Sequence, residues 1–436
     1  MRTLARRPPA ASLAPASPAP SALARALLAP ASHAAALLAL ALLSFALAGC
    51  GKTSPQPLAG EGPARKLAPV AAQGAVSLAT RNTTRLGGAD VASDAAAVAR
   101  AVYPGLTAGS RPAAAVLVDE HDWTAALAAS VLAAAPTGAP ILFSQGDALP
   151  AVSRLTLEAM RPLGEPLLGG AQVIRIATSA PLPAGYVASQ LPAAAPAETA
   201  AAIERLAVRL DGAHPPRQAI VLAEDASPRL AMPAAGLAAE SGAPILLAGY
   251  AAVPAATVAA LDALHRPAIY VIDADALGHR ALDELRRLGS VHALPAGAGA
   301  SPAEAAVQNA IEVARFTEGD FGWGVKEPGH GLVFADVSRP LDAPAAALLS
   351  ATGEYGPLLL LARANGVPPA LAHYLSDIQP AYASPQFPPV RGAYNHGWLI
   401  GDEQAIAAVT QAEIDSMLEI APRTQASEEA PNAPAE

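Results

Sequence analysis

Charged residues follow the apolar runs of this sequence at recurring places, and their types and spacing could hold an anion. Three of the runs end in an acidic residue, at Asp119, Glu224 and Asp336. An arginine follows two of these residues closely, at Arg229 and Arg339. Because a guanidinium group donates paired hydrogen bonds to phosphate and carboxylate groups, both arginines are candidates for binding an acidic polymer.

The same arginines could instead form ion pairs with carboxylates close to them in the sequence. Those carboxylates are Glu224, Asp225, Asp336 and Asp342. The corresponding loop at 119–123 contains no arginine, and this absence weakens the anion-binding hypothesis.

A metal-dependent hydrolase is a second chemical alternative. Glu224 follows one predicted strand, and Asp273 and Asp275 follow another in the same part of the chain. Two carboxylates at adjacent strand ends can bind Mg²⁺, but aspartates at such positions more often belong to a helix start or a turn. The sequence has no nucleophile elbow, metalloprotease motif or phosphate-binding loop, so neither a catalytic residue nor a cofactor is predicted.

The elements that must position these residues come from a unit that recurs along the chain. The string Gly-Ala-Pro-Ile-Leu-Phe at 138–143 returns as Gly-Ala-Pro-Ile-Leu-Leu at 242–247 and, altered, as Gly-Pro-Leu-Leu-Leu-Leu at 356–361. The spacing is a little over one hundred residues, about the length of a small domain.

Each copy contains short apolar runs separated by alanine-rich helical stretches. The first runs lie at 115–118, 219–222 and 332–334, and the last at 172–176, 268–272 and 398–400. Such alternation is typical of βαβ units on a parallel sheet. The sequence therefore predicts an α/β fold of three tandem small parallel-sheet modules, at 78–190, 191–296 and 297–422.

One predicted helix start recurs: Pro196-Ala197-Glu198 in the second copy repeats the proline and glutamate of Ser301-Pro302-Ala303-Glu304 in the third. Asp90 can cap a helix over 91–103, and Ser301 with Glu304 forms a capping box that opens another helix. The third copy departs most from the others at two insertions containing aromatic residues and glycines, 319–325 and 382–394.

The amino-terminal segment has the pattern of a secretory signal. Arginines precede an uncharged apolar run at 34–47, which is too short for an ordinary membrane span. The run leads into Leu-Ala-Gly-Cys, whose Cys50 is the only cysteine in the chain. These four residues resemble the lipobox of bacterial lipoproteins. The resemblance implies cleavage after residue 49, acylation of Cys50 and attachment to a membrane outside the cytoplasm.

Composition limits the class of partner and identifies two segments that are not predicted to fold. A formal net charge of −9, made more negative by loss of an arginine-containing signal peptide, argues against a nucleic-acid partner. The Pro- and Ala-rich segment at 50–77 predicts a flexible tether, and 423–436 predicts a solvated tail.

The copies resemble the type 2 cell-wall-binding repeat, a module found as three tandem copies in surface proteins of Gram-positive bacteria. The matching residues are Arg85, Leu86, Gly87 or Gly88, Asp90, Ala95, Trp123, Ala126, Leu127 and 139–142, whereas Val91, Ala92 and Ala125 depart from the pattern. The resemblance implies topoisomerase-primase-like modules around a pseudo-threefold axis, which bind an anionic wall polymer. Arg85 thereby joins Arg229 and Arg339 as a candidate polymer-binding residue.

The resulting hypothesis is a non-catalytic, lipid-anchored binding or scaffold protein outside the cytoplasm, associated with cell-wall or envelope polymer. A solute-binding lipoprotein that holds a small molecule in a cleft between repeats is the alternative from another functional class.

Overall fold

The computed structural model describes residues 76–294, 297–351, 356–382 and 393–422. The predicted signal peptide, Cys50 and the predicted tail at 423–436 lie outside the described residues. No helix in these ranges is long and apolar enough to cross a membrane.

The strands, in chain order, are β1 (Val76–Ala79), β2 (Thr83–Gly87), β3 (Ala115–Asp119), β4 (Ile141–Ser144), β5 (Val173–Ile176), β6 (Ala188–Leu191), β7 (Gln218–Ala223), β8 (Ile245–Ala248), β9 (Ala268–Val271), β10 (Ser290–Ala293), β11 (Gly331–Asp336), β12 (Leu358–Leu361), β13 (Ala381–Tyr382), β14 (His396–Ile400) and β15 (Ala421–Pro422). The α-helices are α1 (Val91–Val102), α2 (Trp123–Ala128), α3 (Ala151–Met160), α4 (Pro196–Leu210), α5 (Pro228–Ala231), α6 (Pro233–Ser241), α7 (Ala255–Ala263), α8 (His279–Leu288), α9 (Pro302–Arg315), α10 (Asp342–Ala351), α11 (Pro369–Asp377) and α12 (Ala408–Leu418). Short 3-10 helices lie at Ala108–Ser110, Ala129–Ala133, Pro166–Leu168 and Ala274–Ala276.

Three parallel sheets among the described residues share one strand order. They are β4-β3-β5-β6, β8-β7-β9-β10 and β12-β11-β14-β2, and antiparallel β1 extends the last sheet beyond β2. The recurring apolar strings form β4, β8 and β12, all of whose residues are buried, as expected for parallel strands covered on both faces. The prediction of an α/β fold with small parallel sheets is confirmed.

The fourth strand of each sheet leads into a helix that packs on another sheet. β6 of the first sheet precedes α4, which packs against β8, and β10 of the second sheet precedes α9, which packs against β12. The third sheet receives its fourth strand, β2, from the start of the described chain, and the following α1 packs against β4. Each sheet is thus covalently linked to the next through one strand and one helix.

This linkage differs from a simple tandem arrangement of self-contained repeats. β2 lies within the predicted first repeat, 78–190, but pairs with β14 of the predicted third repeat, 297–422. β1 also begins at Val76, inside the segment 50–77 that the sequence predicts as a tether. Sheet membership therefore crosses the repeat limits, because strand pairing joins segments that are far apart in the sequence.

Alanine-rich helices from different parts of the chain pack against one another. α10 contacts α6, and both contact the 3-10 helix Ala129–Ala133. A Cβ atom placed on Gly236 of α6 would lie 2.8 Å from the Ser350 hydroxyl of α10, so a side chain at residue 236 would displace that hydroxyl from its hydrogen bond to the Gly356 carbonyl oxygen. Small residues are required here because they allow helix backbones to approach closely.

Both predicted helix starts are confirmed. The side chain of Asp90 accepts a hydrogen bond from the backbone N–H of Ser93 at 2.8 Å. The Ser301 hydroxyl accepts one from the backbone N–H of Glu304 at 3.3 Å.

Arg85 fixes β2 to the chain that follows β14. Its side chain is only 3% exposed. Nε donates to Oε1 of Gln411 at 3.0 Å, and Nη2 donates to the carbonyl oxygen of Ile406 at 2.6 Å. Nη1 donates to the carbonyl oxygens of Gly401 and Asp402 at 3.0 and 2.7 Å. The guanidinium group therefore donates four hydrogen bonds, three of which are buried.

Arg339 makes a second connection between the amino-terminal segment and the third sheet. Its Nε donates to Oδ2 of Asp342 at 2.8 Å, and its Nη2 donates to Oδ2 of Asp94 on α1. The other Asp94 oxygen accepts from the backbone N–H of Gly88 at 2.7 Å. Both carboxyl groups are buried, with residue exposures of 0% for Asp94 and 1% for Asp342.

Burial dominates the protonation of this cluster. It raises the pKa of Asp94 to about 6, although the Arg339 charge and the Gly88 N–H act in the opposite direction. Burial and the nearby Asp94 carboxylate raise the pKa of Asp342 well above its ordinary value, again against the effect of Arg339. One guanidinium group does not neutralise two buried carboxylates, so the cluster retains a proton near neutral pH.

Replacing Arg85 with methionine should destabilise the protein. Methionine fills similar space but leaves the carbonyl oxygens that Arg85 bonded without donors, so we expect a loss of about 3 kcal/mol in the free energy of unfolding. Urea denaturation of the full chain measures this loss. Arg100→Met, which changes an exposed arginine on α1, is the matched control and should have little effect. Equal stabilities of the two variants would contradict the assigned role of Arg85.

Stability should also depend on the protonation of the Asp94–Arg339–Asp342 cluster. The folded pKa of Asp94 exceeds its ordinary value of 3.8. The folded state therefore binds more protons, and the free energy of unfolding falls by about 2 to 3 kcal/mol as pH rises from about 4 to about 7. Asp94→Asn should remove most of that fall, because asparagine is neutral at every pH.

Urea titrations at several pH values measure this effect as the difference between parent and variant. Asp283→Asn, which replaces an exposed carboxylate on α8, should leave the pH dependence unchanged. A parent-like pH dependence in Asp94→Asn would show that the cluster is not its source.

Candidate functional site

Arg229 is a predicted polymer-binding residue that the structure leaves accessible. It lies in the short helix α5, which follows β7 at the carboxyl edge of the second sheet. Its side chain is exposed, as are those of Glu224 and Asp225. Within the described ranges no ion pair joins Arg229 to these carboxylates, so its guanidinium donors are available to a ligand.

The other two predicted arginines are engaged inside the protein. Arg85 is buried, and its guanidinium group is hydrogen-bonded inside the protein. The structure therefore does not leave it accessible to a polymer. Arg339 forms the predicted alternative pair with Asp342, together with the unanticipated pair to Asp94. A polymer could recruit either arginine only by breaking contacts that fix the fold.

The carboxylates that close the first strands mainly stabilise their own loops. Asp119 accepts from the His121 ring at 2.9 Å and from the backbone N–H of Gly146 at 3.0 Å. Burial raises the pKa of Asp119, but these hydrogen bonds outweigh burial and leave it below the ordinary value. Asp336 similarly accepts from the backbone and the hydroxyl of Ser338, at 2.7 and 2.5 Å.

The acidic residues of the second sheet do not form a metal centre in this structure. Asp273 ends the segment after β9 in a left-handed conformation, with φ of 55°. Burial, followed by the charge of Asp275, raises its pKa. No group of three or more histidine, cysteine or acidic residues within the described part of the chain is arranged to hold a metal ion.

Tyr250 is a further exposed residue at the carboxyl edge, and the sequence analysis missed it. It follows β8, the neighbour of β7, and is 65% exposed. Its backbone oxygen accepts from the N–H of Gly278 at 2.9 Å, which fixes the loop while leaving the ring in solvent. The available signal was an aromatic residue three positions after the recurring apolar string at 242–247. Arg229 and Tyr250 together give this edge a cationic group and an apolar ring face.

Comparisons with known proteins identify similarity of fold. No protein-family model matches the chain, and no curated protein matches it in sequence. Cwp6 from Clostridium difficile is similar in structure, with a TM-score of 0.58 and 17% identity over 79% of this chain and 51% of that protein. Cwp8 from Clostridium difficile has a TM-score of 0.57 and 17% identity, over 78% of this chain and 53% of that protein. The chain thus spans about half the length of two proteins whose fold it shares.

Proposed function

We propose that this protein is a non-catalytic protein outside the cytoplasm that associates with cell-wall or envelope polymer. The observation that carries the proposal is the structural similarity to the cell wall proteins Cwp6 and Cwp8, which extends over 79% and 78% of this chain. The similarity concerns the fold, and the step to a shared cell-wall role is supported by the residues quoted for the cell-wall-binding repeat.

The carboxyl edge of the second sheet is the proposed contact surface. Arg229 can donate hydrogen bonds to a phosphate or carboxylate group of the polymer, and the ring of Tyr250 can pack on an apolar sugar face. Because the chain carries a net charge of −9, attraction of an acidic polymer depends on such a local cationic group.

We also infer that the three sheets and their helices act as three like modules around a pseudo-threefold axis, with the predicted repeats 78–190, 191–296 and 297–422 as their approximate limits. The common strand order and the mutual packing of the alanine-rich helices support this arrangement. Three similar modules would present three similar sheet edges. A repeating polymer that contacts more than one edge binds more tightly than one held by a single weak contact, because the edges are linked in one molecule.

Attachment to a membrane completes the proposal. The sequence around Cys50 supports acylation of that cysteine, with a tether between the lipid and the folded part. Two acyl chains or more would hold the protein stably at the membrane while its sheets contact polymer. No nucleic-acid partner is proposed.

Arg229→Ala should weaken retention on purified envelope polymer. Loss of one charged contact at an exposed site, worth about 1 kcal/mol, corresponds to about fivefold in affinity. Binding of the parent should also decline as added salt shortens the Debye length from about 10 Å to about 3 Å. Co-sedimentation with wall material over a salt series measures both effects. Tyr250→Ala should weaken retention without altering the salt dependence.

Arg209→Ala provides the matched control, because Arg209 is exposed in the last turn of α4, toward the opposite edge of the sheet. Its retention should equal that of the parent. If Arg229→Ala sediments like the parent at every salt concentration, an anionic polymer is not bound through this edge.

Acylation of Cys50 predicts incorporation of a fatty-acid label. Cells expressing the full chain and fed a clickable palmitate analogue should yield labelled protein, and Cys50→Ala should abolish the label because the acceptor sulfur is gone. Label of equal intensity on the variant would exclude lipidation at this residue. This experiment tests membrane attachment only. Polymer binding is tested separately by co-sedimentation.

A further inference from the structure

A cavity of about 290 Å³ lies at the amino edge of the second sheet. One wall comes from 131–137, within the predicted first repeat, and the others from 204–218 and 241–244, within the second. The last two segments lead into β7 and β8, whereas Arg229 and Tyr250 follow the opposite ends of those strands. The cavity is therefore separate from the proposed polymer contact.

Glu204 of α4 lines this cavity without a protein partner. The residue is 2% exposed, and its Oε2 has no hydrogen-bond donor among the described residues. Buried polar atoms in native proteins are almost always hydrogen-bonded, so an isolated buried carboxyl oxygen requires an explanation. Burial raises the pKa of Glu204 to about 7, with the nearby Arg205 charge lowering it only in part.

The other residues that line the cavity indicate which kind of ligand could donate a hydrogen bond to Oε2 of Glu204. Val131, Pro136 and Val208 provide apolar surface in the same lining, and the exposed Asp211 adds a second carboxylate. The volume suits a molecule at the small end of the range for ligand sites. Arg217 and His214 also line the exposed part of the cavity, but the buried ionisable group is the Glu204 carboxyl. An ammonium group would donate charged hydrogen bonds to it.

We propose that this cavity binds a small primary ammonium compound, whose ammonium group donates to the Glu204 carboxylate and whose carbon skeleton packs on Val131 and Val208. The shared chemistry fits two sources, a short aliphatic diamine or an amino sugar. Binding at this site does not depend on polymer attachment, because it uses the other edge of the sheet and a group of opposite charge.

Isothermal titration of the full chain with amines and their neutral counterparts tests the proposal. The aliphatic pair is 1,4-diaminobutane with 1,4-butanediol, and the sugar pair is glucosamine with glucose. We expect at least one amine to bind, with its neutral counterpart at least tenfold weaker, and the binding member identifies the source. This comparison uses the parent protein alone, so it does not depend on the folding of any variant.

Glu204→Gln should weaken amine binding at least tenfold, since glutamine keeps the shape of the side chain but not its negative charge. Glu198→Gln, at an exposed residue of the same helix, is the matched control and should bind like the parent. Absence of amine binding to the parent overturns the proposal. The proposal is also overturned if the neutral counterparts bind as tightly as the amines. The same holds if Glu204→Gln binds the amine with the affinity of the parent.

The pH dependence gives a second readout. The ammonium group pairs with ionised Glu204, so the affinity for the protonated amine should rise severalfold from pH 6 to pH 8 as the carboxyl loses its proton. The other charged groups that face this site are Arg205, Asp211, His214 and Arg217. These groups remain in Glu204→Gln. If the pH dependence of amine affinity persists in that variant, it comes from these groups, and the role of Glu204 is contradicted.

Discussion

The pairing of β2 with β14 is the contact on which the third sheet and its connection to the first sheet depend. Its members come from opposite ends of the described chain: Arg85 and Gly401, which are hydrogen-bonded, lie 316 residues apart. Closing so long a loop costs only slightly more entropy than closing a shorter one, so a few buried contacts suffice to hold it. The charged hydrogen bonds of Arg85 supply such contacts, and α1 then carries the chain from the third sheet to the first.

The arginines of this acidic protein serve structure before they serve binding. Arg85 satisfies buried carbonyl groups, and Arg339 offsets the charges of Asp94 and Asp342. A buried ion cluster of this kind is costly to desolvate, but removing Arg339 would leave two buried carboxyl groups without a cation, so the cluster specifies one packing of α1 against α10. Of the three candidate arginines, Arg229 is the one without such a partner among the described residues, so a ligand can reach it.

The two edges of the second sheet differ in chemistry because different segments flank the two ends of its strands. The carboxyl edge presents an exposed cation and an exposed ring, at Arg229 and Tyr250. The amino edge encloses the buried carboxyl group of Glu204. β7 has six residues, so about 20 Å of strand separates the edges. That distance is about two Debye lengths at physiological salt, and neither ligand would touch the other edge, so ligands of opposite sign can bind at the two edges separately.

The local elements of this protein can be predicted from its sequence alone. Apolar runs predict the first three strands of every sheet, and capping residues predict the starts of α1 and α9, because these signals depend on neighbours a few residues apart. Tertiary packing, in contrast, sets the partner of β2, the burial of Arg85 and the second partner of Arg339, Asp94, which lies 245 residues away. It also places Glu204 in a cavity wall, a position that its place in a helix does not reveal. Charge and apolar spacing show that a side chain can bind something, whereas the distant chain packed around it determines whether its partner is the protein, water or a ligand.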